Sequence, residues 1–199
     1  MAKKIITISR AFGSGGLDIG KKLSEKLGIP CYDKELIALA AKESGYALDY
    51  IKENGEYGNN SLLYNIAISS FGVSSFSHNN ISAPDKIYIL QNNIIRDIAD
   101  KGPCIILGRS ADYILRERDD VLNVFVYASD MEYRKKLLED NGTPATEKEI
   151  IKKDKTRATN YKRYTSKDWG KAENYHICLD SSVLGIDKCV DLILKAIEM

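Results

Sequence analysis

At 199 residues, 44% hydrophobic and 29% charged, the chain has the make-up of an ordinary globular domain, long enough for one buried core and short for two. A formal net charge of +1 argues against a general nucleic-acid binder, so any anion recognition must come from local clusters. No apolar run approaches the roughly 20 residues of a membrane span, and the opening MAKKIITIS lacks the apolar core and cleavage site of a secretory signal. A cytoplasmic protein is expected, with neither nucleic acid nor membrane as partner; the oligomeric state is left open.

Residues 4–9 (KIITIS) are β-branched and apolar and predict a buried strand. A glycine-rich turn, Arg10-Ala-Phe-Gly-Ser-Gly-Gly16, follows. From residue 17 to 27, Ile19, Gly20, Leu23 and Leu27 fall at helical spacing, and Gly28 is placed to cap that helix. Residues 29–32 read as a second strand. Asp33 after it suits the N-cap of a helix over 34–44. Residues 45–84, rich in Asn, Ser and Gly, predict an irregular, partly helical insertion with a possible helix at 62–71. Asp85 caps a predicted helix over 86–100, with Ile87, Leu90, Ile94 and Ile98 on one stripe. A strand over 103–107 (PCIIL), a short helix over 111–118 and a strand over 121–128 come next. Ser129, with Glu132 three residues on, predicts the start of a helix running to 141. A charged helix over 146–164, a last strand over 175–179 and an amphipathic helix over 186–197 complete the chain. Strands alternating with helices argue for βαβ units and a parallel sheet in one domain, residues 1–199.

Cys31, Cys104, Cys178 and Cys189 form no CxxC pair and lie among apolar neighbours, so they read as small core residues in a reducing compartment. His78 and His176 are too scattered for a metal site, and no metal-ligating residues are assigned. The turn Phe12-Gly-Ser-Gly-Gly-Leu17 joins a first strand to a first helix. Glycines there let backbone N–H groups approach an anion at a helix N-terminus. Gly13, Ser14, Gly15 and Gly16 are therefore candidate phosphate-binding residues. The full GxxxxGK[ST] pattern is matched only in a poor register, Gly15 to Lys22, without its final hydroxyl. Arginine at the end of a sheet strand, as in Ile105-Ile-Leu-Gly-Arg-Ser110, faces the crevice where α/β proteins bind ligands, and its planar fork suits phosphate.

The string ITISRAFGSGG, a helix, and then IPCYDKELI resemble the opening of the cytidylate kinase-like family, whose phosphate loop is altered. Aligned by the strand, Arg10 takes the place of the usual first glycine and Gly16 that of the usual lysine. Either Arg10 or Lys21 then supplies the missing charge. The resemblance implies a three-layer P-loop kinase-like α/β fold with a central parallel sheet and a helical lid at about 142–170. It implies ATP and Mg2+, and small-molecule nucleotide substrates. Arg109 matches the family's acceptor-holding arginine, while Leu107 stands where an aspartate is usual. Asp154 and Arg157 match the lid's Asp-x-x-Arg, and Asp33 matches an acceptor-side aspartate, although it serves equally as a helix cap. Arg109, Arg134, Arg157 and Arg163 are the candidate catalytic residues; Asp33, Arg109 and Asp154 are the candidate acceptor contacts. Trp169 reads better as core than as a cover for the base. The function implied is transfer of the ATP γ-phosphate to a nucleoside monophosphate such as CMP. The alternatives are a nucleotide-binding regulator without turnover, favoured by the lost lysine and hydroxyl, and a kinase for another small molecule.

Overall fold

The computed structural model describes residues 4–33 and 83–198. The expected helices at 34–44 and 62–71, most of the 45–84 insertion, and His78 lie outside them. The chain divides into two compact units, one of residues 1–33 with 98–199 and one of residues 34–97. Of the second unit, the described part belongs to helix α2 (Ala83–Lys101), whose Ile94 and Ile98 are buried as the stripe predicts. That helix begins before Pro84, so Asp85 lies inside its first turn and is not its cap.

The first unit holds a five-stranded parallel sheet in the order β2-β3-β1-β4-β5. Its strands are β1 (Ile5–Arg10), β2 (Cys31–Tyr32), β3 (Cys104–Leu107), β4 (Val121–Tyr127) and β5 (Ile177–Asp180). β1 is central, with Ile8 beside Leu107 of β3 and beside Val124 of β4. Alternation along the strands sends Ile6, Ile8, Leu122, Val124 and Val126 to one face. There they form the main core with Ile19 and Leu23 of α1 (Gly16–Leu27) and Cys189, Val190 and Ile193 of α7 (Ile186–Ile197). Gly28 closes α1 at φ 64°, as its position predicts. Among the described residues no helix is long and apolar enough to cross a membrane.

After β3, two helix boundaries differ from expectation. The helix after β3, α3, spans only Ala111–Ile114. The helix after β4, α4, spans Met131–Asp140 and is capped by Asp130, not Ser129. The Asp130 carboxylate accepts from the Glu132 and Tyr133 amides, where a carboxylate also meets the positive end of the helix dipole. Ser129 instead donates its backbone N–H to Asp180. The charged helix, α5 (Glu147–Thr165), starts with Thr146 and Glu149 in a reciprocal capping box. A single 3₁₀ turn (Ala172–Asn174) precedes β5, and α6 (Ser181–Leu184) follows it. Cys104 and Cys189 are buried as read, but Cys178 is exposed on the edge strand β5, because alternation turns it away from the core. Trp169 packs edge-on against Phe125 at 5.2 Å, with Tyr175 5.0 Å away on the same ring, so it belongs to the packing of the second sheet face.

Candidate active site

The loops leaving β1 and β3 depart to opposite faces of the sheet, into α1 and α3. Adjacent parallel strands whose connections diverge in this way open a crevice at their carboxyl ends. The glycine loop lies there. Gly13 and Gly15 adopt φ 78° and 71°, left-handed values that suit glycine, and α1 starts without a side-chain cap. Among the described residues the amides of Gly13, Gly15 and Gly16 meet no acceptor. The turn is thus open on its amide side, with the dipole of a 12-residue helix behind it. Ser14 differs from the glycines. It is buried, and its hydroxyl donates toward Ala11 O (2.9 Å) and Val126 O (3.2 Å), while Ser181 Oγ donates to Ser14 O at 2.8 Å. Its side chain fastens the loop to β4 and its backbone carbonyl fastens it to α6.

Arg10, the last residue of β1, runs across two glycines. A Cβ on Gly16 would fall 2.6 Å from Arg10 Cβ, and one on Gly108 would fall 1.8 Å from Arg10 Nη1. Both positions are glycine because the arginine side chain fills the space. Burial, followed by the charges of Arg157 and Arg109, holds the Arg10 guanidinium down to about 9, against the opposing pull of Asp33. The side chain stays protonated at neutral pH, but its charge is costly until an anion arrives. Arg157 is likewise lowered, by burial and then by Arg134 and Arg109, with Asp154 opposing. Arg109 sits in a run of three left-handed residues, Gly108, Arg109 and Ser110, at φ 67°, 59° and 54°. Two of these are not glycine, at about 1–2 kcal/mol each, and the turn is closed by Ala111 N–H donating to Gly108 O at 3.0 Å.

The charged helix α5 reaches back onto the loop. Asp154 accepts from the Phe12 amide at 2.8 Å and pairs with Arg134, whose Nε donates to Phe12 O at 2.8 Å. Arg157 Nη1 donates to Arg10 O at 2.7 Å. The ammonium of Lys153 lies 3.8 Å from the centre of the Phe12 ring, and the Arg157 guanidinium 5.6 Å. Lys153, Asp154 and Arg157 therefore share the face that their spacing gives them, and that face grips residues 10–12.

Arg10, Arg109, Arg157 and Asp33 are brought together beside the open amides. Arg134 and Asp154 stand next to them, but Asp154 holds the loop and Arg134 with its two oxygens. Lys21 is exposed on the second turn of α1, and Arg163 is exposed on α5 with its guanidinium 5.3 Å from the Tyr164 ring. Among the described residues no group of His, Cys, Asp or Glu could hold a metal ion. Sequence reasoning missed Phe12 as the anchor for α5, and it noted Asp112 beside the Gly-Arg pair without giving it a role. Asp112 is a buried carboxyl that accepts from Tyr161 OH at 2.6 Å and, at a long 3.5 Å, from Ser9 Oγ. The available signals were an aromatic inside a glycine turn and an acid one turn past the Gly-Arg pair.

Residues 5–183 match the model of the cytidylate kinase-like family. The solved structure of an uncharacterized protein from Eubacterium ventriosum is 28% identical over 98% of this chain and 99% of that one, with a TM-score of 0.70. A shikimate kinase from Bacteroides thetaiotaomicron, 13% identical over 98% of each chain with a TM-score of 0.55, shares the fold. A search of curated proteins returned no match. A five-stranded parallel sheet, a glycine loop opening α1 and a family match over nearly the whole length agree: the chain belongs to the cytidylate kinase-like family.

Proposed function

We propose that this protein transfers the γ-phosphate of ATP to a nucleoside monophosphate, with CMP the first candidate. One observation carries the reading: Arg10, Arg109 and Arg157 converge beside a glycine loop whose amides are open, with Asp33 as the opposing carboxylate. Phosphoryl transfer needs positioning and charge neutralisation more than covalent chemistry. The loop amides and the α1 dipole hold a phosphate. Arg10, lying across Gly16, supplies the full positive charge that the usual loop lysine would bring. Arg109, at the end of β3, faces the acceptor phosphate. Arg157 joins the transferring group to the lid helix, residues 147–165 of the 142–170 lid segment.

The described residues do not offer magnesium a protein-built site. Ser14 Oγ is committed to Ala11 and Val126, Leu107 stands at the end of β3, and Asp112 is engaged by Tyr161. The ion is expected to arrive with ATP, held by phosphate oxygens and water.

The test is ADP formation from magnesium ATP against a panel of nucleoside monophosphates, with Arg10→Ala alongside. Acceptor-dependent ADP that Arg10→Ala abolishes supports the reading. A regulatory, non-turning-over nucleotide binder is the second reading, favoured by Gly16 and Leu107 standing where a loop lysine and an aspartate are usual and by the Ser14 hydroxyl being committed to Ala11 and Val126. ATP binding without ADP formation against every acceptor selects it.

A further inference from the structure

Arg10, Arg109 and Arg157 come from three separate elements, and a residue near each of them in the chain leads to one common point. Ser9 precedes Arg10 on β1, Asp112 lies three residues after Arg109 on α3, and Tyr161 lies four after Arg157 on α5. All three are buried. Tyr161 OH donates to Asp112 Oδ2 at 2.6 Å, and Ser9 Oγ reaches Oδ1 at a long 3.5 Å. A single carboxyl thus joins the three segments that carry the arginines of the candidate site.

The sheet face behind this point is largely apolar. Ile5, Ile106, Val121 and Phe125 are buried on it, and its mid-strand polar side chains, Thr7 and Asn123, pair with each other at 2.7 Å. An apolar trio in place of Ser9, Asp112 and Tyr161 would pack there without desolvating a carboxyl, and exchanges of buried charged groups for apolar ones are often neutral or stabilising. Burial pushes the Asp112 carboxyl above the usual carboxylate range, so the group is held there at a cost in stability. What apolar packing lacks is direction, because a hydrogen bond weakens steeply when its angle fails. Helix α5 needs that direction. Of its 19 residues only Ile150, Tyr161 and Thr165 are buried, and Thr165 Oγ1 donates back to Tyr161 O of the same helix. Residues four apart share a helix face, so holding the Tyr161 hydroxyl sets the rotation that aims Arg157. Asp112 in turn sits in the short helix that the left-handed turn at Arg109 leads into.

We propose, resting on the transfer reading above, that Asp112 and Tyr161 are positioning residues for phosphoryl transfer: their hydrogen bond fixes Arg109 and Arg157 in one frame beside Arg10. Both act through the arginines and not on the reacting atoms.

Tyr161→Phe removes the hydroxyl and keeps the ring. In magnesium-ATP turnover with the nucleoside monophosphate panel it is expected to lower kcat about 10- to 100-fold, since a misplacement of about 1 Å costs on the order of 100-fold. KM for ATP stays nearly unchanged, because the loop amides and Arg10 are intact. Asp112→Ala loses as much, and Asp112→Asn, whose amide oxygen still accepts from Tyr161, recovers most of that loss. Thr165→Val is the structural control: it removes a buried hydrogen bond from the same helix, lowers Tm and keeps kcat. The side-chain Nε resonances of Arg109 and Arg157 in the isotope-labelled full chain report position without turnover; they move in Tyr161→Phe and stay in Thr165→Val. The proposal is overturned if those resonances stay in place in Tyr161→Phe. It is also overturned if kcat falls as far in Thr165→Val as in Tyr161→Phe, which reduces the pair to fold stability. A wild type that forms no ADP with any acceptor overturns the transfer reading instead, and moved resonances in Tyr161→Phe then uphold the placing of the arginines apart from that reaction.

Discussion

Gly108→Ala isolates the role of the Arg10 guanidinium without touching Arg10. The new Cβ falls 1.8 Å from Nη1 and 3.1 Å from Cζ of Arg10, and no other residue's atoms are among its near neighbours. The obstructed atoms are the far end of a flexible side chain, so the fold survives by moving the guanidinium off the crevice. What the fold itself loses is the left-handed backbone cost at φ +67°, about 1–2 kcal/mol. Gly142→Ala is the control, because Gly142 has φ +66° and nothing within 4 Å. The two variants should therefore melt within a few degrees of one another. They should differ sharply in ATP affinity. Losing one charge-assisted hydrogen bond is worth about 1.5–3 kcal/mol, or about 10- to 100-fold in Kd. Calorimetric titration with ATP, beside thermal melts of both variants, makes the comparison. Equal ATP affinity in Gly108→Ala and Gly142→Ala would refute the reasoning.

Gly16→Ala meets Arg10 at Cβ and Cγ, the stiff end of the side chain, at 2.6 and 2.8 Å, so it should lower Tm beyond a simple helix-start substitution as well as weaken ATP; a melt unchanged from wild type counts against the close packing. Asp154→Ala strands the mostly buried Arg134 and releases the Phe12 amide. A loss of about 1–3 kcal/mol, discounted from the full buried-pair cost for partial exposure, should appear in denaturant unfolding, with faster hydrogen exchange at Phe12. Asp112 holds its proton more readily folded than unfolded, because burial raises its carboxyl. Between the unfolded value near 4 and the raised folded one, the native state binds more protons, so stability falls as pH rises. Asp112→Asn should remove that part of the slope, read as the difference in Tm between wild type and variant across pH 4 to 8 (roughly this window); parallel curves contradict it.

The parallel sheet was legible because its strands carry β-branched apolar runs and its helices carry stripes at a period of 3.6, as in IITISR against Ile19 and Leu23. Gly28 and the Thr146–Glu149 box marked their helix ends because caps act over a few residues. Ser129 misled because Ser and Asp are both good caps; the choice fell to Asp130 once Asp180, some 50 residues on, took the Ser129 amide. The arginine site was less legible. Arg10, Arg109 and Arg157 come from three elements, and nothing in local spacing says that one side chain will lie across Gly16 and Gly108. The family likeness pointed to arginines in those segments, yet did not say that Arg157 lies by Phe12 while Arg163, six residues on, lies by Tyr164. The Thr7–Asn123 pair on the second face was missed because both look like ordinary strand residues until β1 and β4 are laid side by side.

The central claim is that the open glycine amides, with Arg10 across them, receive the phosphates of ATP. Amide resonances of Gly13, Gly15 and Gly16, followed during titration of the labelled chain with ATP, test it most directly. The account predicts large, saturable shifts at all three that need far more ATP in Arg10→Ala. If those amides stay still while ATP binds, or move equally well without the Arg10 side chain, the phosphates are held elsewhere and the account is wrong.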